Sequence, residues 1–177
     1  MKRFVKGNPN LCIGCRTCMI ACVVAHEGKQ IFEIDPDSYD FHPRIQVVKT
    51  TDKTLTVQCH HCENAPCAKA CPVGAIQINT HSIDLNPSKC IGCRQCVFAC
   101  PFGAIQMVEE KFSNLDGSRR ITAHKCDLCQ DTGASPACVA VCPTDALTYY
   151  TEENFVSLVE SKNANTAKVA IDAAQEG

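Results

Sequence analysis

Three short stretches of the chain alternate apolar and polar residues in the same phase, and each starts from a Cys-Pro pair. They are CPVGAIQI (71–78), CPFGAIQM (100–107) and CPTDALTY (142–149). A period of two is the pattern of a half-buried strand. The proline fixes φ and stops any helical turn before it, and Gly74 and Gly103 allow a sharp reversal. Each stretch therefore predicts a helical turn ending at the cysteine, a reversal and a short strand. A fourth, earlier copy departs: Cys22 is followed by Val23, so its turn should run on as a helix through VVAHE (23–27).

Longer alternating segments predict hairpins. RIQVVKTTDKTLTVQ (44–58) turns at Thr51-Asp52-Lys53, and EEKFSNLDGSRRITA (109–123) turns at Asp116-Gly117. The 18 residues between Cys71 and Cys90, PVGAIQINTHSIDLNPSK, predict a two-stranded turn-back. DPDSYDFHP (35–43) reads as an irregular surface loop. After 150 the period changes: Phe155, Leu158 and Val159, then Ala167, Ala170, Ile171 and Ala174, fall at helical spacing. Thr151 can cap this helix, acidic residues occupy its first turn, and 163–166 weakens its middle. An isolated helix this polar does not hold itself together in water, so it is expected to pack on its own body or on another chain.

Composition narrows the picture. Sixteen of 177 residues are cysteine, a level that marks either a disulfide scaffold or a metal protein. The start, MKRFVKGNPNLC, has basic residues but no apolar core of a signal peptide and no twin arginine. The apolar run MIACVVA (19–25) is too short to span a bilayer. A cytoplasmic location follows as the expectation, where thiols stay reduced and clustered cysteines mean metal. A net charge of −2 leaves no basic surface for nucleic acid.

The cysteines form four groups with none left over: Cys12, Cys15, Cys18, Cys22; Cys59, Cys62, Cys67, Cys71; Cys90, Cys93, Cys96, Cys100; and Cys126, Cys129, Cys138, Cys142. Three thiolates at short spacing wrap one corner of a cubane. In the bacterial ferredoxin run C-x2-C-x2-C-x3-C-P the fourth thiolate ligates the other cluster of a pair. Such motifs work in twos, which is why CIGCRTCMIAC (12–22) returns as CIGCRQCVFAC (90–100). Zinc has no use for a third closely spaced cysteine followed by Cys-Pro. A Rieske centre would need a C-x2-H segment, which the chain lacks, so His60 and His61 read as loop residues beside a cluster. The short spacing between groups two and three pairs them in one unit. Groups one and four then pair across the length of the chain.

Four cysteine groups in this order, with an x8 gap in the fourth and Cys-Pro after the last three, resemble the four-cluster iron–sulfur subunits of dimethyl sulfoxide reductase and related molybdopterin oxidoreductases. Short length and the phrase LCIGCRTC look closest to the small soluble subunits of formate hydrogenlyase and hydrogen-dependent carbon dioxide reductase. The resemblance covers roughly residues 1–150. It implies four 4Fe-4S clusters, held by Cys12, Cys15, Cys18 and Cys142; by Cys126, Cys129, Cys138 and Cys22; by Cys59, Cys62, Cys67 and Cys100; and by Cys90, Cys93, Cys96 and Cys71. The expected fold is α+β: two pseudo-symmetric ferredoxin-like modules, the second enclosed within the first, with inserted β-hairpins and a C-terminal helix. Residues 1–34 and 110–150 would form the outer module, 35–58 an inserted loop and hairpin, 59–109 the inner module and 151–177 the tail.

The expected function is an electron-transfer subunit without an active site of its own. No G-x-G-x-x-G or G-x-x-x-x-G-K-[ST] segment offers a nucleotide site. By the resemblance its partners are a formate dehydrogenase-type catalytic subunit and a hydrogenase or another iron–sulfur subunit. A free polyferredoxin shuttle, or a subunit that also self-associates through 152–177, is the alternative. Each oxidised cubane with four thiolates carries −2, so four would take the chain to roughly −10. Lys69, Lys89 and Lys125, next to ligands, would offset part of it.

Overall fold

The predicted strands close as antiparallel pairs. The computed structural model describes residues 1–28, 32, 41–113, 119–130 and 135–175, the side chains of 110–113, 119 and 175 excepted. Elements run β1 (Phe4–Gly7), α1 (Thr17–Glu27), β2 (Ile45–Lys49), β3 (Thr54–Gln58), α2 (Pro66–Lys69), β4 (Ile76–Ile78) and β5 (Ile83–Leu85). They continue with α3 (Gln95–Ala99), β6 (Gln106–Ser113), β7 (Arg119–His124), α4 (Ala137–Ala140), β8 (Leu147–Tyr150) and α5 (Glu152–Gln175). Strands pair as β2–β3, β4–β5 and β6–β7, and β1 pairs with β8 across the whole chain. The β2–β3 turn closes where the alternation breaks, with the Thr50 N–H donating to the Lys53 carbonyl. Asp116-Gly117 and residues 35–40 lie outside the described residues.

Strand β1 has no counterpart in the sequence reading, because four residues are too few to show a period. Its place is set by its partner: Phe4 sits opposite Tyr150 in register, their rings 5.1 Å apart, while Val5 is buried. Helix α1 runs to Glu27, as Val23 in place of proline predicts. It stops at Gly28, whose left-handed φ of 65° lets its N–H bond back to the Val24 carbonyl.

Two separate cores form. One gathers Val5, Ile45, Leu128 and Leu147 around Cys18, Cys22 and Cys138. The other gathers Ala65, Ile76, Ile83, Ile105 and Ala123 around Cys67 and Cys96. Helix α1 packs on α4, and α2 on α3. Each core rests on a handful of aliphatic side chains, worth about 1.5–3 kcal/mol per fully buried Val, Leu or Ile. So small a core leaves much of the cohesion to whatever the thiols bind.

Helix α5 differs from expectation twice. It is continuous through 163–166, and beyond Leu158 every described side chain is exposed. Among its described side chains only Phe155 and Leu158 are half-buried, so packing of the whole stripe on its own chain is not what the fold does. The first turn is capped by Asn154, whose side chain accepts the Thr151 N–H at 2.7 Å and donates to the Tyr149 carbonyl at 2.7 Å. No described helix is long and apolar enough to cross a membrane.

Candidate iron–sulfur sites

All sixteen thiols are free of disulfides, and the packing of the short helices sorts them. Helix α1 carries Cys18 and Cys22 against the Cys138 of α4; α2 carries Cys67 against the Cys96 of α3. One small apolar pocket is lined by Cys12, Cys15, Cys18 and Cys142, another by Cys71, Cys90, Cys93 and Cys96. Cys62 and Cys67 are electrostatic neighbours of Cys100. Cys126, Cys129 and Cys138 are electrostatic neighbours of Cys22.

Turns after the fourth cysteines repeat one device. The N–H four residues on donates to the sulfur: Ala75 to Cys71 at 3.2 Å, Ala104 to Cys100 at 3.5 Å and Ala146 to Cys142 at 3.2 Å. The preceding residue takes a left-handed φ to aim that N–H: Gly74 at 61°, Gly103 at 60° and Asp145 at 50°. Glycine adopts this freely, and aspartate is among the few others that visit it. Burial pushes the Cys71 and Cys142 thiols up, but the backbone N–H groups around them outweigh it and bring both below the ordinary value.

Cys22 cannot be served this way, because α1 continues past it. Its sulfur instead accepts the N–H of Arg44 at 3.3 Å, and Arg44 is held by an ion pair between its guanidinium and Asp127. Asp127 also accepts His26 Nε2–H at 2.9 Å, while His26 Nδ1 faces the Cys22 carbonyl at 2.6 Å. Both ring nitrogens face acceptors, so both carry protons and the imidazole is cationic. Burial alone would lower its pKa. The bonds to Asp127 and Cys22 prevail and hold it at about 10. The close group His26, Asp127 and Cys129 therefore offers no imidazole lone pair to a separate metal ion. The clue in the sequence was Val23, which denies Cys22 a local donor.

Burial governs Cys18, Cys62, Cys67, Cys96, Cys126, Cys129 and Cys138. It pushes Cys18 and Cys67 up to about 11, Cys138 up to about 12, and Cys126 further still. Buried thiols this reluctant to ionise become thiolates when iron supplies the positive charge. Soft sulfur donors in fours, ringed by backbone N–H groups, fit a 4Fe-4S cluster, whose potential such bonds tune. Of the three lysines expected to offset charge, Lys69 and Lys89 are exposed and only Lys125 is buried. His60 stacks on Phe102 at 4.1 Å, and His61 is wholly buried. A cavity of about 200 Å3 has no cysteine among its lining residues; Arg44, Asp84, Lys125 and Asp127 line it.

Residues 51–152, with three of the four cysteine groups, match the 4Fe-4S dicluster domain family. The chain belongs to that family. Residues 9–24, around the first group, match a 4Fe-4S binding domain. The chain is 45% identical over 168 residues to the putative oxidoreductase AegA of Escherichia coli (strain K12), covering 95% of the chain but 25% of AegA. It is 38% identical to the electron transport protein HydN of the same strain, over 94% of the chain and 98% of HydN. Its identity to hydrogenase-4 component A, also of that strain, is 34% over 92% of the chain and 89% of that protein. The chain thus spans about a quarter of AegA and nearly all of HydN.

Proposed function

We propose that this chain is a non-catalytic, cytoplasmic electron-transfer subunit carrying four 4Fe-4S clusters, built as two ferredoxin-like modules, one enclosed in the other. The proposed ligand sets are Cys12, Cys15, Cys18 with Cys142; Cys126, Cys129, Cys138 with Cys22; Cys59, Cys62, Cys67 with Cys100; and Cys90, Cys93, Cys96 with Cys71. The observation that carries this is the packing of helix α1 on α4 and of α2 on α3, which supports ligand exchange within each pair of groups.

Bound clusters would supply one-electron chemistry. Protein residues hold the sulfurs, donate N–H bonds to them and exclude water. Cys15 and Cys93 are exposed, each beside an exposed isoleucine, Ile13 and Ile91. These two loops are the proposed ends of the path, where an apolar contact brings a partner's redox centre within tunnelling distance. Cys138 is buried and Cys126 half-buried. That HydN is nearly all this unit, and AegA about a quarter this unit, favours a self-contained conducting module.

The likeness to hydrogenase-4 component A supports a hydrogenase on one side. A formate dehydrogenase-type catalytic subunit of the dimethyl sulfoxide reductase class is the proposed partner on the other. A free shuttle is the alternative reading. Exposed Val159, Val169 and Ile171 on α5 favour a third role, docking or self-association through the tail. Anaerobic iron and sulfide analysis should approach sixteen of each per chain, and affinity purification should bring down redox enzymes. A folded protein holding only zinc would overturn the reading.

A further inference from the structure

Two buried polar groups meet at one residue of β5. The Ile83 N–H donates to His61 Nδ1 at 2.9 Å, and the Ile83 carbonyl accepts a hydrogen bond from Lys125 Nζ. Lys125 Nζ also donates to the carbonyl of Cys126 at 2.9 Å. His61 belongs to the second cysteine group, and its own N–H donates to Cys59 Sγ at 3.4 Å. A continuous polar bridge therefore runs from the second group through His61, Ile83 and Lys125 to the fourth. Cys59 and Cys126 are electrostatic neighbours across it.

Each end of the bridge is incomplete within the protein. Because His61 Nδ1 accepts from an N–H, its lone pair is engaged and the ring proton sits on Nε2. Nε2–H has no acceptor among the described residues, although His61 is 0% exposed. Buried N–H groups are seldom left unpaired. Lys125 is 3% exposed, bonds only to carbonyls, and has no carboxylate within ion-pair distance among the described residues. Asp84 feels its charge, but bonds instead to Ser82 and Gln130. A donor lacking an acceptor and a cation lacking an anion lie together, between two groups of sulfurs.

We propose that His61 and Lys125 are the positioning residues of the electron crossing between the Cys59 and Cys126 sites: Nε2–H of His61 donates to a cluster sulfur, and the Lys125 ammonium is the shared counter-charge of both clusters. This rests on the four-cluster reading above. The crossing is a one-electron exchange in which no bond forms or breaks and no proton moves. Its consequence is selective: both facing sites are made easier to reduce, while those of Cys12 and Cys90, reaching the surface at Cys15 and Cys93, are not.

The test is an EPR-monitored redox titration of the full-length holoprotein, prepared anaerobically. In Lys125→Met, two of the four clusters should become harder to reduce by about tenfold or more at fixed potential, about 59 mV for one electron. The other two should hold, and Lys125→Arg should restore the pair. Unchanged potentials in a variant retaining sixteen irons would overturn this inference alone. Iron well below sixteen in the wild type would instead sink the four-cluster reading. If Lys125→Met does not fold, pulsed EPR of wild-type protein labelled with [15N]histidine decides. A weak nitrogen coupling to a reduced cluster, lost in His61→Gln and kept in His26→Gln, is expected; its absence would refute the proposal.

Discussion

The turn after Cys22 and the turns after Cys71, Cys100 and Cys142 bring an N–H to sulfur by opposite routes. In the latter three, proline ends the helix and a left-handed residue aims a donor from four positions away. Everything needed is local. At Cys22 the helix continues, and the donor comes from Arg44, steadied by Asp127 and His26. The first route survives changes elsewhere in the fold, whereas the second exists only once three distant segments have docked. A hydrogen bond of the same kind is thus robust in three places and conditional in one.

The largest break in this comparison comes from the sulfurs themselves. Cys22→Ser should cost about a quarter of the iron, in line with one cluster in four, and the loss should fall on the site of Cys126, Cys129 and Cys138. Metal analysis with site-resolved spectroscopy checks it. A defect confined to the Cys12, Cys15 and Cys18 site would contradict the proposed exchange of ligands.

Next in size is the clamp. Asp127→Ala strips partners from both Arg44 and His26 and should destabilise the protein by about 2–3 kcal/mol, allowing for partial exposure of the pair. Thr144→Ala, beside the locally served Cys142 sulfur, should cost under about 1 kcal/mol. Anaerobic denaturant titrations of the two variants measure the contrast.

The pH dependence follows with a defined sign. The folded pKa of His26 is about 10 against an ordinary 6.5, so the folded state binds its proton more tightly. Its contribution is complete below pH 6.5, declines as pH rises above that, and is gone beyond about 10. A stability loss of about 1–2 kcal/mol over that window, after solvent screening, is expected. His26→Gln should remove it, and the same titration should show no such slope traceable to the other three turns.

The smallest effect sharpens the local side. Asp145 holds a left-handed φ of 50° where the two sister turns have glycine. Asp145→Gly should relieve strain and raise stability by about 0.5 kcal/mol, read as a small upward shift in the unfolding midpoint.

Features that depend on neighbours in sequence were legible in advance: the alternating strands, the Cys-Pro stops, the hairpin over 44–58 and the run-on of α1. The groups of cysteines were legible too, because thiolates at short spacing have few other uses. What escaped is carried by separation. Strand β1 acquires its identity only beside β8, and the pair of His26 and Asp127 closes over 101 residues. His61 is the loop residue the sequence reading made it, but its burial was hidden because its partner Ile83 lies on β5, 22 residues away. The continuity of α5 through 163–166 went the other way: each weak residue there costs only a few tenths of a kcal/mol in a helix of 24.

Pairing of β1 with β8 also sets an order of events during synthesis. Residues 59–109 emerge together, and contacts between α2 and α3 can form as soon as they clear the ribosome. The earliest cysteines cannot do the same. Cys12, Cys15 and Cys18 must wait, uncovered, until α4 and β8 are made, and chains emerge at about 5–20 residues per second. That is several seconds in which the first group stands without the elements that cover it. Iron and sulfide must reach that site after β8 is made, or those thiols must be shielded until then.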